Sequence, residues 1–368
     1  MHTAILTKSE SESELASVIG HEIAHVTQAH IGRKLENSRF DSWLALGALL
    51  AAAAAGGADA AQAAFGVTQA SIIDRQLTYS RSYESEADAL GIRLLSRAGF
   101  DPKAMPIFFK RLLDESRINE SHAPEFLRSH PLTINRITES SERVRAYPSP
   151  PKQDESDFLM MRAKATAAYS KDKSQTRDLF HEKVKNGDNS LPTRYGYGIA
   201  LSENGEFAEA RKVLDQLAKD YPDNVSVRLV QADNELDAGN IDKGLNQLEE
   251  LYEEQRAIGN NMVDIYYANA LVLTKRHSIA IPILQESLNS NKDEPYFHIL
   301  LSRAYGESGD NLGAYQHRGE YHYQQGNYQF AIEQYKRAFP LTKSEYQRAR
   351  LAARIEEVQK ELEVIKRL

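Results

Sequence analysis

The chain predicts a mainly α protein in two parts: a helical domain built around a histidine pair, and an array of antiparallel helix hairpins behind it. Three observations predict this. His21-Glu22-Ile23-Ala24-His25 lies in an apolar run of helical spacing from Leu15 to Ile31. A proline-rich stretch from Tyr147 to Ser156 then interrupts helix formation. Beyond it, a turn residue, mostly glycine, followed five residues later by a small residue recurs at 34-residue intervals, with one two-residue insertion near Ile258-Gly259-Asn260.

Composition sets the bounds. With 368 residues, 41% hydrophobic and 26% charged, the chain is globular and long enough for two cores. It has no cysteine, which excludes disulfides, thiolate-ligated metal and thiol catalysis. A net charge of −7 offers no basic surface, so nucleic acid is excluded as a partner.

The first helix starts at Ser11, Ser13 and Glu14, which can cap it, and carries Leu15, Val18, Ile19, Ile23 and Val26 as an apolar face expected to be buried. Positions i and i+4 share a helix face, so His21 and His25 can hold one metal ion, and neutral imidazoles suit Zn2+. Glu22, beside the first histidine, is placed as the base. A third histidine six residues after His25 would fall on Ile31, which cannot ligate. His30, on a continuous helix, is rotated off the ligand face and expected in solvent.

The third ligand is sought downstream, in Tyr83-Glu84-Ser85-Glu86-Ala87-Asp88-Ala89-Leu90-Gly91. On a helix Glu84 and Asp88 share a face with Gly91, and Glu86 points away. Glu84 is therefore assigned as ligand and Asp88 as acceptor for a ligand imidazole N–H. Ala87 and Gly91 are small enough to let the two helices approach. Between these segments, Trp43 to Ala58 is uncharged, but at sixteen residues it is too short to span a bilayer. It suits a lid hinged at Gly56-Gly57, and residues 43–73 are the stretch for peripheral membrane contact.

The helix of Glu84 should end near Gly99, and another should run from Asp101-Pro102 through Leu113 with Phe108, Phe109, Leu112 and Leu113 as core. His122 and His130 follow in a loop-rich section, and Pro131 restricts the backbone of His130 to extended conformations. Residues 147–157 read as a linker, giving a metal-site domain over 1–146 and the repeat array over 158–368. Gly205 to Ala210 is matched by Gly239 to Gly244, Lys275 to Ala280, Gly309 to Ala314 and, after only half a period, Gly326 to Ala331. That is the tetratricopeptide unit of two antiparallel helices. The half period makes Leu312 to Gln325 a helix shared by two units, and Ser344 to Leu368 reads as a capping helix.

The HExxH segment, Glu84-Ser85-Glu86-Ala87-Asp88 and Ser129-His130-Pro131-Leu132 together resemble the gluzincin family that includes HtpX and the CAAX prenyl endopeptidases, in the branch that adds tetratricopeptide repeats. The resemblance implies a zinc endopeptidase domain, helical with a small β element. It carries one Zn2+ per chain on His21, His25 and Glu84, with Glu22 activating water. His130 is implied as an occupant of the fourth position that holds the enzyme inactive, and Arg136 as a residue facing the active site. Implied partners are unfolded or misassembled envelope proteins and the outer-membrane β-barrel assembly machinery, in the periplasm. A chaperone or adaptor whose metal site is autoinhibited is the alternative. In this family a signal peptide and strands edging the cleft precede HExxH. Met1 to Lys8 holds neither, so the chain reads as N-terminally truncated.

Overall fold

A computed structural model describes residues 3–36, 80–118 and 125–367, which are almost entirely helical and, among the described residues, contain no strand. The small β element has no counterpart there, and the lid stretch, residues 43–73 and His122 lie outside the described residues. No described helix is long and apolar enough to cross a membrane. The chain divides into two compact units, Met1–Tyr169 and Ser170–Leu368.

The first unit opens with α1 (Thr3–Lys8) and α2 (Glu12–Thr27). Ser11 caps α2, its side chain accepting from the Glu14 amide, and Glu12 and Glu14 complement the helix dipole. Helix α2 ends earlier than the apolar pattern suggests. Ala29 takes a left-handed φ of 50° and a new helical segment begins at residue 30. Helix α3 covers 80–98 and stops at Gly99, whose φ of 85° an L side chain would resist. Then come α4 (Ala104–Ile118), α5 (Glu125–Ser129), α6 (Ile134–Val144) and α7 (Ser156–Tyr169).

Ile92, Leu95, Met105, Phe108, Phe109, Leu112 and Phe126 form the core of this unit, with Val18 from α2 and Phe158 from α7. Each such side chain contributes about 1.5–3 kcal/mol by leaving water. The boundary predicted at residue 158 is therefore corrected. Phe158 is buried with Phe108, Arg162 donates to the Ser9 carbonyl at 2.9 Å and Glu155 accepts from the Glu12 amide, so α7 belongs to the metal-site unit. The prolines break the helix without ending the domain.

Helices α2 and α3 cross at a pair of glycines. A Cβ on Gly91 would stand 3.2 Å from the His21 amide nitrogen, 3.3 Å from the Gly20 carbonyl carbon and 2.9 Å from Met105 Cε. At Gly91 only hydrogen fits without a shift of the neighbouring backbone, whereas a Cβ on Gly20 would meet ordinary contact at 3.4 Å, and the crossing brings Glu84 close to His21.

The second unit is a run of antiparallel helices: α8 (Lys173–Lys185), α9 (Leu191–Glu203), α10 (Phe207–Asp220), α11 (Val225–Asp237), α12 (Ile241–Gln255), α13 (Asn261–Leu273), α14 (His277–Ser290), α15 (Pro295–Glu307), α16 (Asn311–Gln324), α17 (Tyr328–Ala338) and α18 (Glu345–Arg367). The predicted turn residues all have positive φ: Gly205, Gly239, Gly309 and Gly326, and also Lys275 at 61°. The small residues Ala210, Ala280 and Ala331 are fully buried where helices meet. Helix α16 packs against both α15 and α17, as the half period predicts, and α18 closes the array with Leu351 and Val358 on α17. Glu235 is buried in this unit, and bonds from Arg211, then Lys243 and Asn240, outweigh burial and hold its carboxyl down at about 2.

Candidate metal centre

Four donor groups converge in the first unit: His21 and His25 from α2, Glu84 from α3 and His130 from the turn after α5, with ligand atoms all within 4.8 Å of one another. His21 Nε2 is 3.0 Å from His25 Nε2, 3.2 Å from His130 Nδ1 and 3.4 Å from Glu84 Oε2. Glu84 Oε1 is 3.4 Å from His25 Nε2 and 3.0 Å from His130 Nδ1. Ligands about 2.0–2.1 Å from a shared ion stand roughly 3.3 Å apart, and contacts of 3.0–3.4 Å among these donors are close enough for the set to hold a metal ion.

The protonation pattern also fits a cation. Asp88 Oδ1 lies 2.9 Å from His21 Nδ1 and can only accept, so Nδ1 carries the hydrogen and the Nε2 lone pair faces the cluster. That lone pair, the carboxylate of Glu84 and two more imidazoles are all groups that could ligate one cation. Burial would lower the His21 pKa, yet Asp88 and Glu84 raise it above the usual imidazole value, so a proton competes with a metal for the Nε2 lone pair. Burial likewise opposes ionisation of Glu84, but bonds from His130, His21 and His25 and the charge of Arg136 hold its carboxyl far below the ordinary range.

Arg136 lies at the first turn of α6, whose N-cap Thr133 accepts from the Arg136 amide. Its Nε and Nη2 donate to the two oxygens of Asp88 at 2.9 and 2.8 Å, its Nη1 pairs with Glu84 at 2.8 Å and reaches the Pro131 carbonyl, and Phe109 lies under its guanidinium. One buried cation thus orients two buried carboxylates and the loop that carries His130. The bonds from His21 and Arg136 overcome burial and lower the Asp88 pKa. The ring of His130 stacks on Phe126 at 5.0 Å, and its Nε2 stands 3.3 Å from Glu22 Oε1. Glu22 is half exposed.

Two expectations are corrected. Ile19, Ile23 and Val26 are exposed, Val26 at 77%, so the apolar face of α2 is not wholly core. His30 is not in solvent but 3% exposed, with its Nδ1 2.8 Å from His25 Nδ1. The break at Ala29 turns it back towards the site. Glu86, Arg33 and Tyr83 surround it, and no local pattern in the sequence marks any of the three for this site. The polar Thr27-Gln28 pair was the available signal that the helix could stop there.

The match to peptidase family M48 covers residues 1–144. A putative beta-barrel assembly-enhancing protease of Vibrio cholerae is 37% identical over 369 residues, covering 97% of this chain and 75% of that protein. The chain belongs to the beta-barrel assembly-enhancing proteases of peptidase family M48. By that membership it is a metallopeptidase. The beta-barrel assembly-enhancing protease of Escherichia coli K12 is 32% identical over 310 residues, and the chain spans 62% of its length. The mitochondrial metalloendopeptidase OMA1 of Schizosaccharomyces pombe is 30% identical over 138 residues, 38% of each protein. Among solved structures, yeast Tom70 aligns with a TM-score of 0.38 at 13% identity, over 77% of this chain and 61% of that one.

Proposed function

We propose that this M48 peptidase is a zinc-dependent endopeptidase that hydrolyses peptide bonds of misfolded or misassembled envelope proteins in the periplasm. One observation supports the reading: the donor atoms of His21, His25, Glu84 and His130 lie within 4.8 Å of one another, and Glu22 Oε1 stands 3.3 Å from the outer nitrogen of His130. Zinc held there would supply Lewis acidity to a carbonyl oxygen and to water. Glu22 takes the proton of the attacking water on a carboxylate oxygen and delivers it to the leaving amine nitrogen. Asp88 fixes the tautomer of His21, and Arg136 keeps Glu84 and Asp88 ionised and in place. The relatives' name motivates a client or partner at the outer-membrane assembly machinery, held by the helical array. Two neighbouring hollows in that array, one lined by Tyr266 and the other by Arg303, share Asn269 and Tyr296 and together would suit an extended segment.

A second reading has its own observation. His130 places Nδ1 among the donors and Nε2 on Glu22, so it fills the fourth position and engages the base together. That supports a resting, self-blocked state and a chaperone or adaptor role for the array. Cleavage of unfolded casein in the presence of zinc separates the readings. Glu22→Gln is expected to lower cleavage by roughly 10²–10⁴-fold with metal content unchanged, and His130→Ala to raise it. A Glu22→Gln variant that cleaves like the wild type overturns the protease mechanism. Equal rescue of assembly in cells by the two forms makes the adaptor role the main one.

A further inference from the structure

We infer that His30 is a positioning residue for the metal centre, which with Glu86 fixes the tautomer and ring orientation of His25; the inference rests on the zinc reading above. The chain of contacts runs inward from the surface. Arg33 Nη2 donates to Glu86 Oε2 at 2.7 Å, and Glu86, as a carboxylate, can only accept. His30 Nε2 lies 3.2 Å from the same oxygen, so it carries the hydrogen and donates. The other nitrogen of the buried neutral ring, Nδ1, then holds a lone pair. It stands 2.8 Å from His25 Nδ1, which must be the N–H of that contact. His25 is left with its lone pair on Nε2, the atom that faces His21 and Glu84.

The two imidazoles of the HExxH pair are thus each tied to a carboxylate of α3, by different routes. Asp88 reaches His21 directly. Glu86 reaches His25 only through a second imidazole as spacer. Tyr83 stacks on His30 at 4.8 Å, with the planes 23° apart, and Arg33 covers the Tyr83 ring at 4.8 Å, so the spacer is clamped on its flat side too. The left-handed Ala29 makes this possible, because an unbroken helix would carry His30 to the opposite face.

Partners of this kind typically contribute 10–100-fold in metal affinity. The test measures Zn2+ affinity of the full chain, stripped of metal, by competition with a chromophoric chelator, together with the visible absorption of the Co2+-loaded form. His30→Phe keeps a ring to stack on Tyr83 but offers no acceptor; it is expected to weaken Zn2+ binding by about 10-fold or more and to alter the Co2+ spectrum. His30→Gln, whose amide oxygen accepts a hydrogen bond, is expected to recover most of the affinity, which a purely space-filling role would not predict. Wild-type affinity in a folded His30→Phe variant overturns the inference. Should that variant not fold, Glu86→Ala, at a half-exposed side chain, decides: a several-fold loss supports the relay and no loss overturns it. If the wild type binds Zn2+ no better than His25→Ala, the metal reading itself fails, and the inference with it.

Discussion

Arg136 shows how much a single side chain at this site controls. It faces Asp88 and Glu84 in a setting where all three are nearly dry. Removing one partner of a buried ion pair costs roughly 3–5 kcal/mol, because the remaining charges are left uncompensated. Arg136→Met is therefore expected to lower the urea midpoint of the first unit, more in EDTA than with Zn2+, since bound metal supplies part of the missing positive charge. An equal loss in both conditions would argue against a metal at these residues. Glu84 and Asp88 were legible in the sequence because helical periodicity puts them on one face. That one arginine joins them was not, since it comes from a helix nearly fifty residues on, and only the resemblance pointed to it.

At the scale of elements, the crossing of α2 and α3 and the turns of the array depend on single backbone positions. Gly91→Val inserts atoms where backbone already stands at 3.2–3.3 Å. Overpacking of this kind costs about 1–3 kcal/mol, and here it also separates the histidines from Glu84. The variant should lose metal along with stability, as read by metal content after dialysis; full retention would show that the glycine contact does not set the site. Lys275 presents the opposite case. It occupies a left-handed turn position where its four counterparts are glycine, at a conformational cost of about 1–2 kcal/mol. Lys275→Gly relieves that cost and loses some of it again to the greater freedom of the unfolded chain, so a net gain of about 0.5 kcal/mol is expected in urea unfolding. A lower midpoint would contradict the assignment of this turn.

At the scale of the whole molecule, the two units should answer to different solution variables. The metal centre lies wholly in the first unit, and a ligand that binds only the folded state stabilises it by mass action. EDTA should lower the first unit's thermal transition and leave that of the array in place. The array has its own sensitivity. His317, on α16, is 2.9 Å from His298 through Nδ1 atoms and stacks on Tyr305, and burial, then the neighbouring His298, pushes its pKa down to about 4. The unfolded chain, with an ordinary imidazole near 6.5, binds more protons between those values. Stability is therefore full above about pH 6.5 and falls as pH drops towards 4, by up to roughly 3 kcal/mol. Unfolding measured across that range should show the loss in the wild type and a flatter profile in His317→Gln; identical profiles would remove this histidine as the cause.

The sequence alone determined what is periodic and local. Helical spacing paired His21 with His25 and Glu84 with Asp88, and the 34-residue recurrence located the turns, Lys275 included, because these patterns depend only on the geometry of one helix or one hairpin. Only the tertiary structure decided what depends on neighbours from elsewhere in the chain. The break at Ala29 is held by a ring that must find His25, Glu86 and Tyr83. Helix α7 joins the first core because Phe158 fills space between Phe108 and its neighbours, although the prolines before it signal an end. Close packing and the pairing of buried charges are settled between segments distant in sequence, so no single window of residues contains them.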